Sequence, residues 1–209
     1  MIKNIILSLL LLSSNAAYAT NNNLVNYGSY TRDLNSGLDW LDLTYTQGKS
    51  YNQITSELTS SSQYAGWRYA TLNEFQEIFN SRGYTFSGSS IITKTTGDIL
   101  DVDLFSTLIS DFGVTETAGT RSISRGILDE NYLNGGQNSQ IFGEIRFNNK
   151  IPTISRAVLG KVLDTDSGSI LGSYLVRQAP VSTVPEPSTW ALLIAGLSLI
   201  LASARKKAK

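Results

Sequence analysis

The 209-residue chain has no cysteine and no histidine. Without cysteine a folded domain carries no disulfide and must hold together by packing alone. Without histidine, Ser-His-Asp and Cys-His nucleophilic catalysis, His-ligated zinc and the side chain that most often moves protons near neutral pH are all excluded. No G-x-S-x-G elbow and no phosphate-cradling glycine loop occurs either. Basic residues are scarce where a nucleic-acid partner would need them. The seventeen basic and seventeen acidic residues balance, but Lys3, Arg205, Lys206, Lys207 and Lys209 lie in the terminal segments, as does Glu186. The stretch between them keeps twelve basic against sixteen acidic residues. It carries about four net negative charges at neutral pH and no basic stripe, which argues against nucleic acid as a partner.

The two ends carry clear signals. Lys3 precedes an apolar run over 5–12, broken only by Ser8, and Ala17-Tyr18-Ala19 supplies the small-x-small pattern of a cleavage site. These features predict a signal peptide over 1–19, cut after Ala19. At the other end, Val184-Pro185-Glu186-Pro187 opens an uncharged run over 187–204, which Arg205, Lys206, Lys207 and Lys209 close. At helical rise this run covers about 27 Å, close to the ~30 Å hydrocarbon core of a bilayer. A transmembrane helix over 187–204 is expected, with Pro187 in its first turn and the basic cluster as a cytoplasmic stop.

A Pro-Glu-Pro, a short apolar helix and a basic cluster, in that order, closely resemble the PEP-CTERM sorting signal of Gram-negative, exopolysaccharide-producing bacteria. The resemblance implies an exosortase-type membrane transpeptidase as partner, acting near the Pro-Glu-Pro. It also implies transient anchoring in the inner membrane through the C-terminal helix, followed by release to the cell surface or beyond. A route follows from this tail, but no activity.

Residues 20–178 read as one exported domain, with 179–184 as a proline-marked spacer. A strand over 26–33, turn residues over 33–37 and a strand over 38–43 predict a hairpin. Ser50 with Gln53 and Thr71 with Glu74 match capping boxes. Tyr51, Ile54 and Leu58 continue the first as a helix, and Phe75, Ile78 and Phe79 continue the second to near Gly83. Residues 87–97 read as a Ser/Thr/Gly-rich loop, and 98–112 as a third helix with Leu104, Phe105, Leu108 and Ile109 on one stripe. Strands are expected over 121–128, 140–147, 155–163 and 170–177, the last two as a hairpin. The fold class is α+β, with two to three short helices in the first half packed on an antiparallel sheet.

Side chains that could carry chemistry also have plain structural readings. Trp40 and Trp67 could stack on sugars, but their apolar neighbours and element boundaries favour core positions. Arg68 fits a role tying down loop carbonyls or a carboxylate. Asp98, Asp101 and Asp103, and also Asp164 and Asp166, suggest calcium, yet neither set matches an EF-hand loop, and a helix cap and a turn suffice for them. Glu74, Glu77, Asp129, Glu130 and Glu144 could supply a glycosidase pair, whose separation a sequence does not reveal. No catalytic residue, metal or cofactor is assigned.

Three segments, Gly37-Leu-Asp-Trp-Leu-Asp-Leu43, Gly66-Trp-Arg-Tyr-Ala-Thr71 and Gly172-Ser-Tyr-Leu-Val-Arg177, look like landmarks of PEP-CTERM ectodomains. More distantly they resemble the C-terminal domain of bacterial collagen-like adhesins. That resemblance implies a C-type-lectin-like fold and glycan binding, although Tyr69-Ala70 stands in place of Leu-Pro and the adhesins' cysteines are absent. The expectation is therefore a non-enzymatic structural or adhesive surface protein associated with exopolysaccharide. A lectin-like glycan-binding module and a carboxylate-dependent glycoside hydrolase are the alternatives.

Overall fold

Gly28 turns the chain at φ +85°, a backbone region that side chains disfavour, and Asn26 Oδ1 accepts the Gly28 amide at 2.7 Å. The expected first strand is therefore two: β1 (Leu24–Asn26) and β2 (Tyr30–Asp33), paired antiparallel. Buried Asp33 then accepts from the Asn35 amide and the Ser36 hydroxyl, and the chain reverses into β3 (Leu38–Leu41). The computed structural model describes residues 23–87, 90–94, 102–134, 136–151 and 156–180. The chain divides into two units, Met1–Gln178 and Ala179–Lys209. The signal segment 1–19, the sorting residues and the expected helix 187–204 lie outside the described residues. Among the described residues no helix is long and apolar enough to cross a membrane.

A 3-10 turn (Leu43–Tyr45), capped by Asp42, leads to α1 (Tyr51–Glu57), β4 (Arg68–Tyr69) and α2 (Leu72–Asn80). Both helices open with complete capping boxes, Ser50 with Gln53 and Thr71 with Glu74, as their spacing predicts. β5 (Tyr84–Ser87) and β6 (Ser90–Lys94) form an antiparallel pair, so part of the expected 87–97 loop is strand. After α3 (Val102–Phe112) come β7 (Glu116–Ala118), β8 (Arg121–Asn134), β9 (Gln137–Asn148), β10 (Arg156–Leu163), β11 (Gly172–Ser173) and β12 (Leu175–Gln178).

These strands make two sheets, and the α+β class with largely antiparallel pairing holds. The smaller has the order β1-β2-β3-β12-β4. The larger has the order β11-β8-β9-β10-β6-β5, with β7 on β8. The expected 170–177 strand and its hairpin with β10 are not formed. Instead β11 pairs parallel with β8, and β12 enters the other sheet between β3 and β4. β8 and β9 also continue through most of the expected 129–138 loop, pairing Asn134 with Gln137 beyond an irregularity in register between Ile127 and Asn131.

α2 and α3 both pack on the larger sheet, and α3 also reaches β2. Around them lies the main core, with Trp40, Phe75, Phe79, Phe105, Phe112 and Tyr174 almost fully buried. Gly126 and Gly143 face each other across β8 and β9, and lacking side chains they make room for rings. Phe75 fills the space over Gly143, and Tyr174 with Leu43 fills that over Gly126. A second cluster, Leu41, Ile54, Tyr64, Tyr69, Ile127, Leu171 and Leu175, gathers beneath α1 with Trp67 packed against it.

Candidate functional site

Strands β3, β12 and β4 carry the three sequence landmarks and lie side by side. Their register sets Asp39 opposite both Arg32 and Arg177, so all three side chains emerge on one face. Asp39 is fully buried, and its carboxylate accepts from Arg32 Nε at 2.6 Å, Arg32 Nη2 at 3.1 Å and Arg177 Nε at 3.2 Å. The Asp39 hydrogen bond holds the Arg32 guanidinium above its ordinary pKa. Fixed in this way, the Arg177 guanidinium lies 4.5 Å from the Trp67 ring centre and 4.9 Å from that of Tyr30. Arg32 in turn lies 5.3 Å from the Tyr27 ring, which stacks on Tyr30 at 5.0 Å.

Beside this ladder of rings and cations opens a cleft of about 380 Å³, within the size range of small-ligand sites. Tyr30, Tyr45, Tyr64, Trp67, Arg177 and Gln63 are among its lining residues. Tyr64 is buried and donates its hydroxyl to the Tyr45 carbonyl at 2.8 Å, whereas Tyr45 itself is 56 % exposed. The cleft thus offers several aromatic surfaces, an amide and a guanidinium, without an acidic side chain among those that line it. Rings that are apolar in body and polar at the rim suit a ligand with both C–H faces and hydroxyls.

The two tryptophans separate. Trp40 is 1 % exposed, against Phe112 and Tyr174, and belongs to the core as expected. Trp67 is only partly buried and lines the cleft, because β4 lies at the edge of its sheet. Arg68 plays the expected tying role: it donates to the Tyr69 carbonyl at 3.0 Å and to both Glu74 carboxylate oxygens.

The candidate carboxylates do not gather at the cleft. Glu74 closes the α2 capping box under Arg68, which holds its carboxyl below the ordinary carboxylate value. Asp129 accepts from the Tyr51 hydroxyl, and Glu144 is buried between Arg125 and Arg146. Glu77 and Glu130 are exposed. Asp166 accepts the Leu163 amide in the turn after β10. Asp103 is exposed in the first turn of α3, while Asp98 and Asp101 lie outside the described residues. Among the described residues no three metal-ligating side chains come together.

A PEP-CTERM protein-sorting motif matches residues 183–207. The chain carries that sorting signal. The matched stretch contains Val184, Pro185, Glu186 and Pro187 and most of the basic cluster, and it covers the tail only. It marks the chain as an exported, sorted surface protein that transits the membrane and is handled by exosortase, a membrane transpeptidase. No curated protein and no solved structure matches the chain.

Sequence reasoning singled out Trp67 and the closing Val176-Arg177, but not their convergence with Tyr30. Tyr45, Gln63 and Tyr64 carried no signal of their own, since they come from a turn and a polar loop whose placement is set by α1 and the second core cluster.

Proposed function

We propose that the exported domain is a non-enzymatic structural or adhesive component of the cell surface or matrix, and that it holds exopolysaccharide in the aromatic cleft between Tyr30, Tyr45 and Trp67. The observation that carries this reading is Trp67, kept partly open to solvent while the Asp39–Arg177 pair supports it from behind. A C-type-lectin-like relationship is supported by the side-by-side arrangement of the three landmark strands, with the last strand of the domain set among the first. The non-enzymatic reading is favoured over glycoside hydrolysis by the engagement of Glu74, Asp129 and Glu144 in structural bonds away from the cleft.

The test is a glycan array probed with the purified full-length chain and with Trp67→Ala. Binding to polysaccharide by the wild type, lost in the variant, is the expected result. No binding to any glycan overturns the adhesive reading, and turnover of a matrix polysaccharide overturns the non-enzymatic one.

A further inference from the structure

Twelve basic residues lie between the two terminal signals, and four of them, Arg121, Arg125, Arg146 and Arg156, converge on the larger sheet. They are far apart in sequence, and the register alone joins them. Arg156 pairs directly with Arg146 across β10 and β9, and Arg125 pairs with Glu144 across β8 and β9. Arg121 lies opposite Asn148, two places along β9 from Arg146. Because side chains alternate along a strand, all of these share one face. Ile145 and Ala157, of opposite parity, point to the aromatic core on the other.

Two carboxylates answer the four cations. Buried Glu144 binds Arg125 Nε at 2.5 Å and also Arg146, and Glu116 lies 3.2 Å from Arg125. Arg121 and Arg156 are exposed and make no ion pair among the described residues. The cluster therefore keeps about two positive charges in excess on a domain that is otherwise acidic. Like charges placed directly across a strand pair are destabilising, so the Arg146–Arg156 placement costs stability when no anion is present. Burial and the neighbouring charges of Arg156, Arg125 and Arg121 together hold the Arg146 pKa below its ordinary value. Between the side chains lies a recess of about 160 Å³ lined by Arg121, Arg146, Phe147, Asn148 and Arg156. That volume suits one compact group rather than a whole sugar ring with its substituents.

We propose that this recess is an oxyanion site, in which Arg121, Arg146 and Arg156 receive a single carboxylate, sulfate or phosphate group carried on an acidic saccharide. Guanidinium groups match such oxyanions in geometry, donating two parallel hydrogen bonds each. Glu144 is a positioning residue here: by binding Arg125 and Arg146 at once it fixes the inner wall and leaves the outer cations to the ligand. The oxyanion site is separate from the aromatic cleft and stands or falls without it; the saccharide as carrier rests on the proposed surface role.

The experiment is isothermal titration of the full-length chain with sodium sulfate, sodium phosphate, glucuronate and an oligomer of glucuronate, with glucose as the neutral control. The variant is Arg121→Gln/Arg156→Gln, which alters exposed side chains and keeps the Glu144 bonds. Wild-type binding of an anion that weakens about tenfold or more in the variant and fades with added salt is expected, from the loss of charge-assisted bonds. Tighter binding of the glucuronate oligomer than of the free ions assigns the anion to a saccharide; the reverse order retains the oxyanion site and overturns the saccharide assignment. Anion binding unchanged in the variant, or no anion binding by a wild type that is folded by circular dichroism, overturns the site. Loss of glycan binding in Trp67→Ala with anion binding intact would show that the two sites are independent.

Discussion

The ring of Phe75 occupies the space that a side chain at Gly143 would need: a Cβ built there would sit 2.6 Å from Phe75 Cζ. Phe75 is itself fully buried and packed against Phe79, Phe86 and Tyr174, so it has nowhere to retreat. Gly143→Ala is therefore expected to destabilise the domain by about 1–3 kcal/mol, the usual cost of overpacking a close-packed core. Urea unfolding with an unchanged slope and a lower midpoint checks it. Gly168→Ala is the control, since the nearest atom to its Cβ is 4.0 Å away, and it should change stability by no more than about 0.5 kcal/mol.

Asp39→Asn tests the ion-pair centre of the smaller sheet. The substitution keeps the shape and removes the charge that holds two guanidinium groups. Breaking a buried pair costs about 3–5 kcal/mol when the orphan is sealed from water; Arg32 and Arg177 are partly exposed, so a loss of about 2–3 kcal/mol is expected. Trp67 fluorescence should shift in the folded variant as Arg177 is released from its ring.

Thr71→Ala removes the hydroxyl that accepts the Glu74 amide at the start of α2. A loss of about 1 kcal/mol is expected in thermal or urea unfolding. The same box predicts an acid limb. Arg68 holds the Glu74 pKa below its ordinary value of 4.5 in the folded state. The stabilisation is present above 4.5 and is lost as pH falls through the lower folded value. Glu74→Gln should flatten the fall in stability below pH 4.5.

The alkaline side has the opposite cause. Burial, helped by Asp129, pushes the Tyr51 hydroxyl from 10.0 up to about 12. Tyr69 and Tyr174 are driven higher still by burial. A raised folded value means that the folded state keeps its proton longer than the unfolded chain. The stabilisation is therefore complete below pH 10 and declines as pH rises through 12. Tyr51→Phe should reduce the slope of stability against pH over that interval, read from urea midpoints at successive pH values.

The capping boxes of α1 and α2 were legible because a hydroxyl and an amide or carboxylate three residues apart meet within one helical turn, whatever the rest of the chain does. β4 was not, since two residues have no period. Ser90–Lys94 failed for a compositional reason: serine and threonine read as a loop until a partner strand supplies hydrogen bonds. The end of the chain misled most. Residues 170–177 read as one strand, but Tyr174, with its ring buried in the main core, separates a two-residue pairing with β8 from a strand in the other sheet. The arginine recess was invisible for the same reason, because only long-range register brings Arg121 and Arg156 to Arg146. Local rules reach the caps and turns; partners distant in the chain decide the sites.

The placement of β12 has a consequence for biogenesis. Leu175–Gln178 bridges β3 and β4, so neither Asp39 nor Trp67 can meet Arg177 until the final stretch before the tail has been exported. Until then the smaller sheet stays open between β3 and β4, whereas the pairings of β8 with β9 and of β9 with β10 need nothing from β12. A processing enzyme that recognises that signal would thus meet its substrate only after the last strand has become available to close the fold.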